Sequence, residues 1–97
     1  MPTYVVLGNW TDQGVRNVKD TPKRETAFRE LCEKHEAQVK DVYRTMGRHD
    51  VVAVVEAPND RAIQTILYSL GAQGNIRTET LRAFTREETD QAIAKMG

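Results

Sequence analysis

TMGRHDVVAVVEAPND, residues 45–60, carries a turn, a strand and a helix start in one run, and it decides the fold. In an extended chain Val51, Ala53 and Val55 point to one side and Val52 and Val54 to the other, so both faces of this strand are apolar. Gly47, in the short connection Gly47-Arg48-His49, stands where a positive φ is needed. QVKDVYRTM (38–46) and DVVAVVEA (50–57) therefore pair as a β-hairpin. Pro58, Asn59 and Asp60 stop the strand and cap a helix with the apolar stripe Ile63, Ile66, Leu67 and Leu70, which Gly71 and Gly74 break.

Upstream, TYVVLGNW (3–10) is rich in β-branched and aromatic residues and reads as the first strand, ending in a polar loop TDQGVRNVKD (11–20). Thr21 offers an N-cap hydroxyl and Pro22 suits the first helical position. Ala27, Phe28, Leu31, Cys32 and His35 then recur at helical spacing, which predicts an amphipathic helix over 21–37. Downstream, NIRTETLRAF (75–84) is the last strand. Thr85 and Glu88 form the capping box of a short terminal helix whose apolar side is Ala92, Ile93 and Met96.

The order βαββαβ plus a terminal helix predicts an α+β fold, a ferredoxin-like sandwich over 1–97 as a single domain. Its four-stranded antiparallel sheet has the order 4-1-3-2, with helices on one face. The second apolar face needs a cover, and a second copy of the chain supplies one, so a homodimer built as an α+β barrel is expected.

Fourteen basic and fourteen acidic residues cancel, so no long-range field draws the chain to nucleic acid or an anionic membrane. A single cysteine, Cys32, removes an intrachain disulfide, a multi-thiolate cluster and a sulfur-rich zinc site, and suits a reducing compartment. MPTYVVLGNWTDQ has no basic leader and only a three-residue aliphatic run, which predicts a cytoplasmic protein with no membrane span. DQGVRN, with one glycine and no Lys-Ser/Thr signature, is a solvated loop rather than an anion cradle. No cofactor is expected.

The predicted topology gathers Trp10, His49, Asp50 and Arg77 at one rim of the sheet, and Trp10 and Tyr43 are aromatic residues able to line a cavity. These five are the candidate ligand-binding residues. His49 has the residue type of a proton shuttle, yet histidine and aspartate adjacent in a strand point to opposite faces, so a solvated turn is the simpler account. Cys32 and His35 share a helix face with Phe28 and Leu31, which makes packing a simpler explanation than metal ligation. The alternating charges Arg77, Glu79 and Arg82 protect an edge strand.

YVVLGNWTDQGVRNVKDTPKR, MGRHDVVAVVEAPND and GNIRTETLRAF, in this order and spacing, resemble a GYD-domain protein along essentially the whole chain. The resemblance implies a ferredoxin-like, dimeric α/β-barrel fold and transfers no activity. Where the family motif has tyrosine before aspartate this chain has His49, with Gly47 and Asp50 matching. A role that needs a phenol is thereby removed, and His49 is no required base of a family-wide mechanism.

Two functions fit these features. One is a small-molecule-binding or regulatory homo-oligomer with a ligand cleft at the rim. The alternative is a cofactor-independent enzyme, monooxygenase- or isomerase-like, with His49, Asp50, Tyr43 and Arg77 as candidates on fold-level analogy. An RNA-recognition module shares the topology but needs aromatic residues on the central strands and a basic surface, and VVAVVE and a zero net charge supply neither.

Overall fold

A computed structural model describes all 97 residues, Met1–Gly97. Its strands are β1 (Thr3–Trp10), β2 (Gln38–Arg44), β3 (Val51–Glu56) and β4 (Ile76–Ala83), all joined antiparallel. The order across the sheet is β2-β3-β1-β4, which read from the opposite edge is 4-1-3-2. Two long helices, α2 (Thr21–Lys34) and α3 (Asp60–Ala72), cover one face, as the apolar stripes require.

Period-two alternation decides which strand residues meet those helices. Tyr4 and Val6 of β1 and Ala53 and Val55 of β3 are buried beneath Cys32, Ile63 and Ile66. In β2, Val39 and Val42 both pack against this core although they are three residues apart. A β-bulge between Val39 and Asp41 absorbs Lys40 and brings both valines to the same side. On the opposite face the register aligns Asp41, Val54, Val5 and Leu81, and beside them Tyr43, Val52, Leu7 and Glu79. No element of the chain covers that face.

The 11–20 segment differs from the expected loop. Thr11 accepts a hydrogen bond from Gly14 N (3.1 Å) and caps α1 (Asp12–Arg16), and a 3₁₀ turn follows at Val18–Asp20. Arg24 reaches back and donates to Gly14 O (3.2 Å) and Asn17 O (3.0 Å), covering carbonyls at the C-terminal end of α1. Thr21 is already helical (φ −51°, ψ −45°) and donates its hydroxyl to Val18 O. It is therefore not an N-cap, because the 3₁₀ turn runs straight into α2. Ala27 is exposed, and α2 stops at Lys34 with Glu36 in the left-handed region (φ 62°).

Gly47 has φ +102°, as the hairpin requires, and Thr45 N donates to Asp50 O (2.9 Å) across its base. Asn59 Oδ1 caps α3 by accepting from Ala62 N (2.9 Å). Gly71 lies inside α3 rather than ending it, and Gly74 (φ +86°) makes the turn into β4. The capping box at Thr85 and Glu88 starts α4 (Arg86–Ala94). The apolar side of α4, Ala92, Ile93 and Met96, lies exposed in the single chain.

Candidate functional site

The end of β1 is where Trp10, His49, Asp50 and Arg77 are expected to meet, with Tyr43 able to line the same cleft. Asp50 Oδ2 accepts from the backbone of Trp10 (3.0 Å), while Asp50 N donates to Gly8 O (2.8 Å). His49 Nδ1 lies 2.8 Å from Asn9 Oδ1, and Asn9 Nδ2 donates to Arg48 O (2.6 Å). Because the amide nitrogen of Asn9 is the donor to Arg48, its Oδ1 is the acceptor and His49 Nδ1 carries the proton. His49 and Asp50 thus fasten the hairpin tip to the end of β1.

The other candidates are divided by the sheet. Trp10 continues the helix-side series Tyr4, Val6 and Gly8, so its indole enters the space between sheet and helices. Tyr43 is 58% exposed opposite Val52 on the uncovered face. Arg77 pairs in register with Asn9 at the end of that face and is exposed without an ion-pair partner. The five residues share an end of the sheet but do not line one cleft. A rim deduced from strand order alone misses the face on which each side chain stands.

A cavity of about 80 Å³ lies on the helix side. Gly8, Trp10, Phe28, Val42, Val51 and Ile76 form much of its wall. Gly8 keeps it open: a Cβ there would come within 2.5 Å of Ile76 Cδ1. The adjoining end is closed by a seam in which Gly14 lies against the backbone of Asn75, so near that an added Cβ would be 2.0 Å from Asn75 O. Thr11 N donates to the same carbonyl (3.1 Å), and Gln13 Nε2 donates to Gln73 O (3.1 Å) and Asn75 Oδ1 (3.0 Å). Gly14 therefore serves close packing, since any side chain there would meet the Asn75 carbonyl.

Arg24, Glu25 and Arg44 border the cavity where it meets solvent. Glu25 of α2 pairs through Oε1 with Arg44 of β2 and through Oε2 with Arg29 Nε (3.1 Å). The hydrogen bond from Arg44, aided by that from Arg29, holds the Glu25 carboxyl below the usual carboxylate range, against the opposing effect of burial. No histidine, cysteine, serine or tyrosine lines the cavity.

Two other buried groups belong to the core. Burial pushes the Cys32 thiol up to about 11, with Arg29 opposing weakly, so it packs as a small apolar side chain. Burial, then the hydrogen bond to Asp60, pushes the Tyr4 phenol up to about 12, and its hydroxyl donates to Asp60 Oδ1 (2.5 Å) at the start of α3. No three His, Cys, Asp or Glu side chains are grouped to hold a metal ion, and no helix is long and apolar enough to cross a membrane.

The cavity, the seam and the uncovered sheet face can be set beside known proteins. The chain is 32% identical over 84 residues, 86% of its length and 88% of the relative's, to the glutamine synthetase and cystathionine β-lyase binding protein of Thermus thermophilus. A feast or famine regulatory protein of Mycobacterium tuberculosis, solved with L-methionine, shares the fold with a TM-score of 0.66 and 20% identity over 88% of this chain. This chain spans only 51% of that regulator, about half its length. A solved protein from Thermus thermophilus superposes with a TM-score of 0.56 and 26% identity, over 88% of this chain and 95% of its own. The GYD domain model matches residues 4–93, and with it the small α+β fold and its four-stranded antiparallel sheet are accounted for: the chain belongs to the GYD-domain family.

Proposed function

We propose that this chain is a regulatory binding protein, a homodimer joined across its uncovered sheet face as an α+β barrel, with a small ligand in the cavity beside Trp10. The observation that carries the proposal is the make-up of that cavity. Its walls are largely apolar, and its one carboxylate, Glu25, is held ionised between Arg44 and Arg29. Such a group is a weak base with no proton to donate, so the site is equipped to bind rather than to transfer protons.

The relative from Thermus thermophilus, matched over most of both chains, is named for binding two enzymes, which supports a protein partner in the same reading. The uncovered row of Val5, Leu7, Val52, Val54 and Leu81 supports the homodimer, since two such faces pack about 10 Å apart and exclude water from each other. Of the five rim residues, Trp10 belongs to the ligand cavity in this proposal. Tyr43, His49 and Arg77 lie at or beside the dimer face, and Asp50 holds the strand end between them.

A metabolite panel titrated calorimetrically, with Trp10 emission followed in parallel, tests the binding reading. A saturable response is expected in the wild type and its loss in Gly8→Val, whose side chain fills the cavity. Binding that leaves Trp10 emission unchanged and survives Gly8→Val would move the ligand elsewhere.

A further inference from the structure

The border of the cavity is unequal in charge. Arg24 and Arg44 border a corner that holds one carboxylate, Glu25, and that carboxylate is shared between Arg44 and Arg29, which does not itself line the cavity. Arg24 spends its donors on Gly14 O, Asn17 O and the Thr21 hydroxyl, neutral acceptors that leave its charge uncompensated. The floor beneath, with Trp10, Phe28 and Ile76, has no charged group. An apolar floor under a surplus of guanidinium charge complements an anion that carries a small apolar tail.

The ion pair itself indicates how such an anion would be seated. Glu25 stands on α2 and Arg44 on β2, so their contact bridges the helix layer and the sheet at the place where the cavity meets solvent. Both groups remain partly exposed, with 26% and 38% of their side-chain surface accessible, so the pair can exchange partners without unfolding either element. A ligand carboxylate can offer the Arg44 guanidinium two oxygens, where Glu25 offers it Oε1 alone and gives Oε2 to Arg29.

We propose that the cavity binds a small apolar carboxylate, its tail against Trp10 and Phe28 and its carboxylate replacing Glu25 on Arg44, with Glu25 acting as a built-in competitor. This rests on the ligand-binding reading above and adds the chemical class. The cavity, at about 80 Å³, limits the tail to a few carbons.

The test uses the full chain and three probes with one branched tail: 3-methylbutanoate, its neutral amide and the corresponding amine. Calorimetry and Trp10 emission are expected to show saturable binding of the acid, at least about tenfold weaker binding of the amide, and none of the amine. Glu25→Gln, which keeps the size and removes the competitor, should bind the acid about tenfold more tightly, and Arg44→Gln should lose it while melting as a folded chain by circular dichroism. Leucine, tried alongside, distinguishes an amino acid from a simple acid as the source of the carboxylate, since tighter binding than 3-methylbutanoate marks the former. Equal binding of acid and amide, or no gain in Glu25→Gln, overturns the carboxylate proposal but leaves the cavity as a site. If no probe and no member of the metabolite panel perturbs Trp10, both fail together.

Discussion

The two sides of β3 are built from nearly the same side chains and meet different fates. Ala53 and Val55 are 4% and 0% exposed under α2 and α3, while Val52 and Val54 on the other side are only half-buried. The alternation is equally apolar on both sides, so hydrophobicity alone does not tell a covered face from an uncovered one. What differs is the supply of covering elements. The chain contributes two long helices, and both go to one side because two crossovers of the same hand deliver them there. An aspartate on one side should therefore prevent the chain from folding, and on the other should only prevent it from pairing.

Val55→Asp is the most severe way to sharpen the contrast. A carboxylate at a fully buried site without a partner should cost more than about 4 kcal/mol, and the variant should show no cooperative transition in urea. Val54→Asp, one residue away, should keep a cooperative transition as a monomer and weaken association at least about a hundredfold by sedimentation or light scattering. A wild-type chain that stays monomeric at micromolar concentration would break the comparison, because the uncovered face would then be stable in water.

Gly14→Ala probes the closed end of the covered side. A methyl group 2.0 Å from the Asn75 carbonyl must push α1 away from the turn into β4, costing about 1–3 kcal/mol in urea titrations. An unchanged midpoint would show that the seam yields freely. The smallest effect is electrostatic. The carboxyl of Glu25 is depressed on folding, so its contribution is present above the ordinary carboxylate pKa and fades as pH falls through the lowered folded value. Stability measured between pH 7 and pH 3 should decline less steeply in Glu25→Gln than in wild type. Glu88, depressed by the capping box, adds a slope of the same sign that Glu25→Gln leaves intact.

Features with local causes were legible in the sequence. The Gly47 turn, the Asn59 cap and the Thr85–Glu88 capping box each need only a few neighbouring residues, and the stripes of α2 and α3 follow from helical period. Features with distant causes were not. α1 is five residues long and exists because Gly14 fits against Asn75 and because Arg24 reaches its end, contacts that span 61 and 10 positions of the chain. The bulge at Lys40 left one trace, two valines three apart in a strand, which strict alternation forbids. The cavity had no local sign at all, since Gly8 in a strand reads as weakness until Ile76 is seen across from it. The candidate residues stand at one end of the sheet but on different sides of it, because Trp10 faces the helices while Tyr43 faces away.

Cys32 gives this molecule an internal clock. With its thiol fully enclosed and pushed to about 11, only on the order of one part in ten thousand is thiolate at pH 7, and no reagent reaches even that fraction while α2 is seated. Alkylation of the single cysteine therefore has to wait for α2 to lift from the sheet, and its rate follows how often and how long that opening lasts. The α2 face that holds Cys32 also presents Phe28 and Glu25 to the cavity, so any ligand that pins this helix slows the labelling, and the rate of one chemical modification reports occupancy without a second probe.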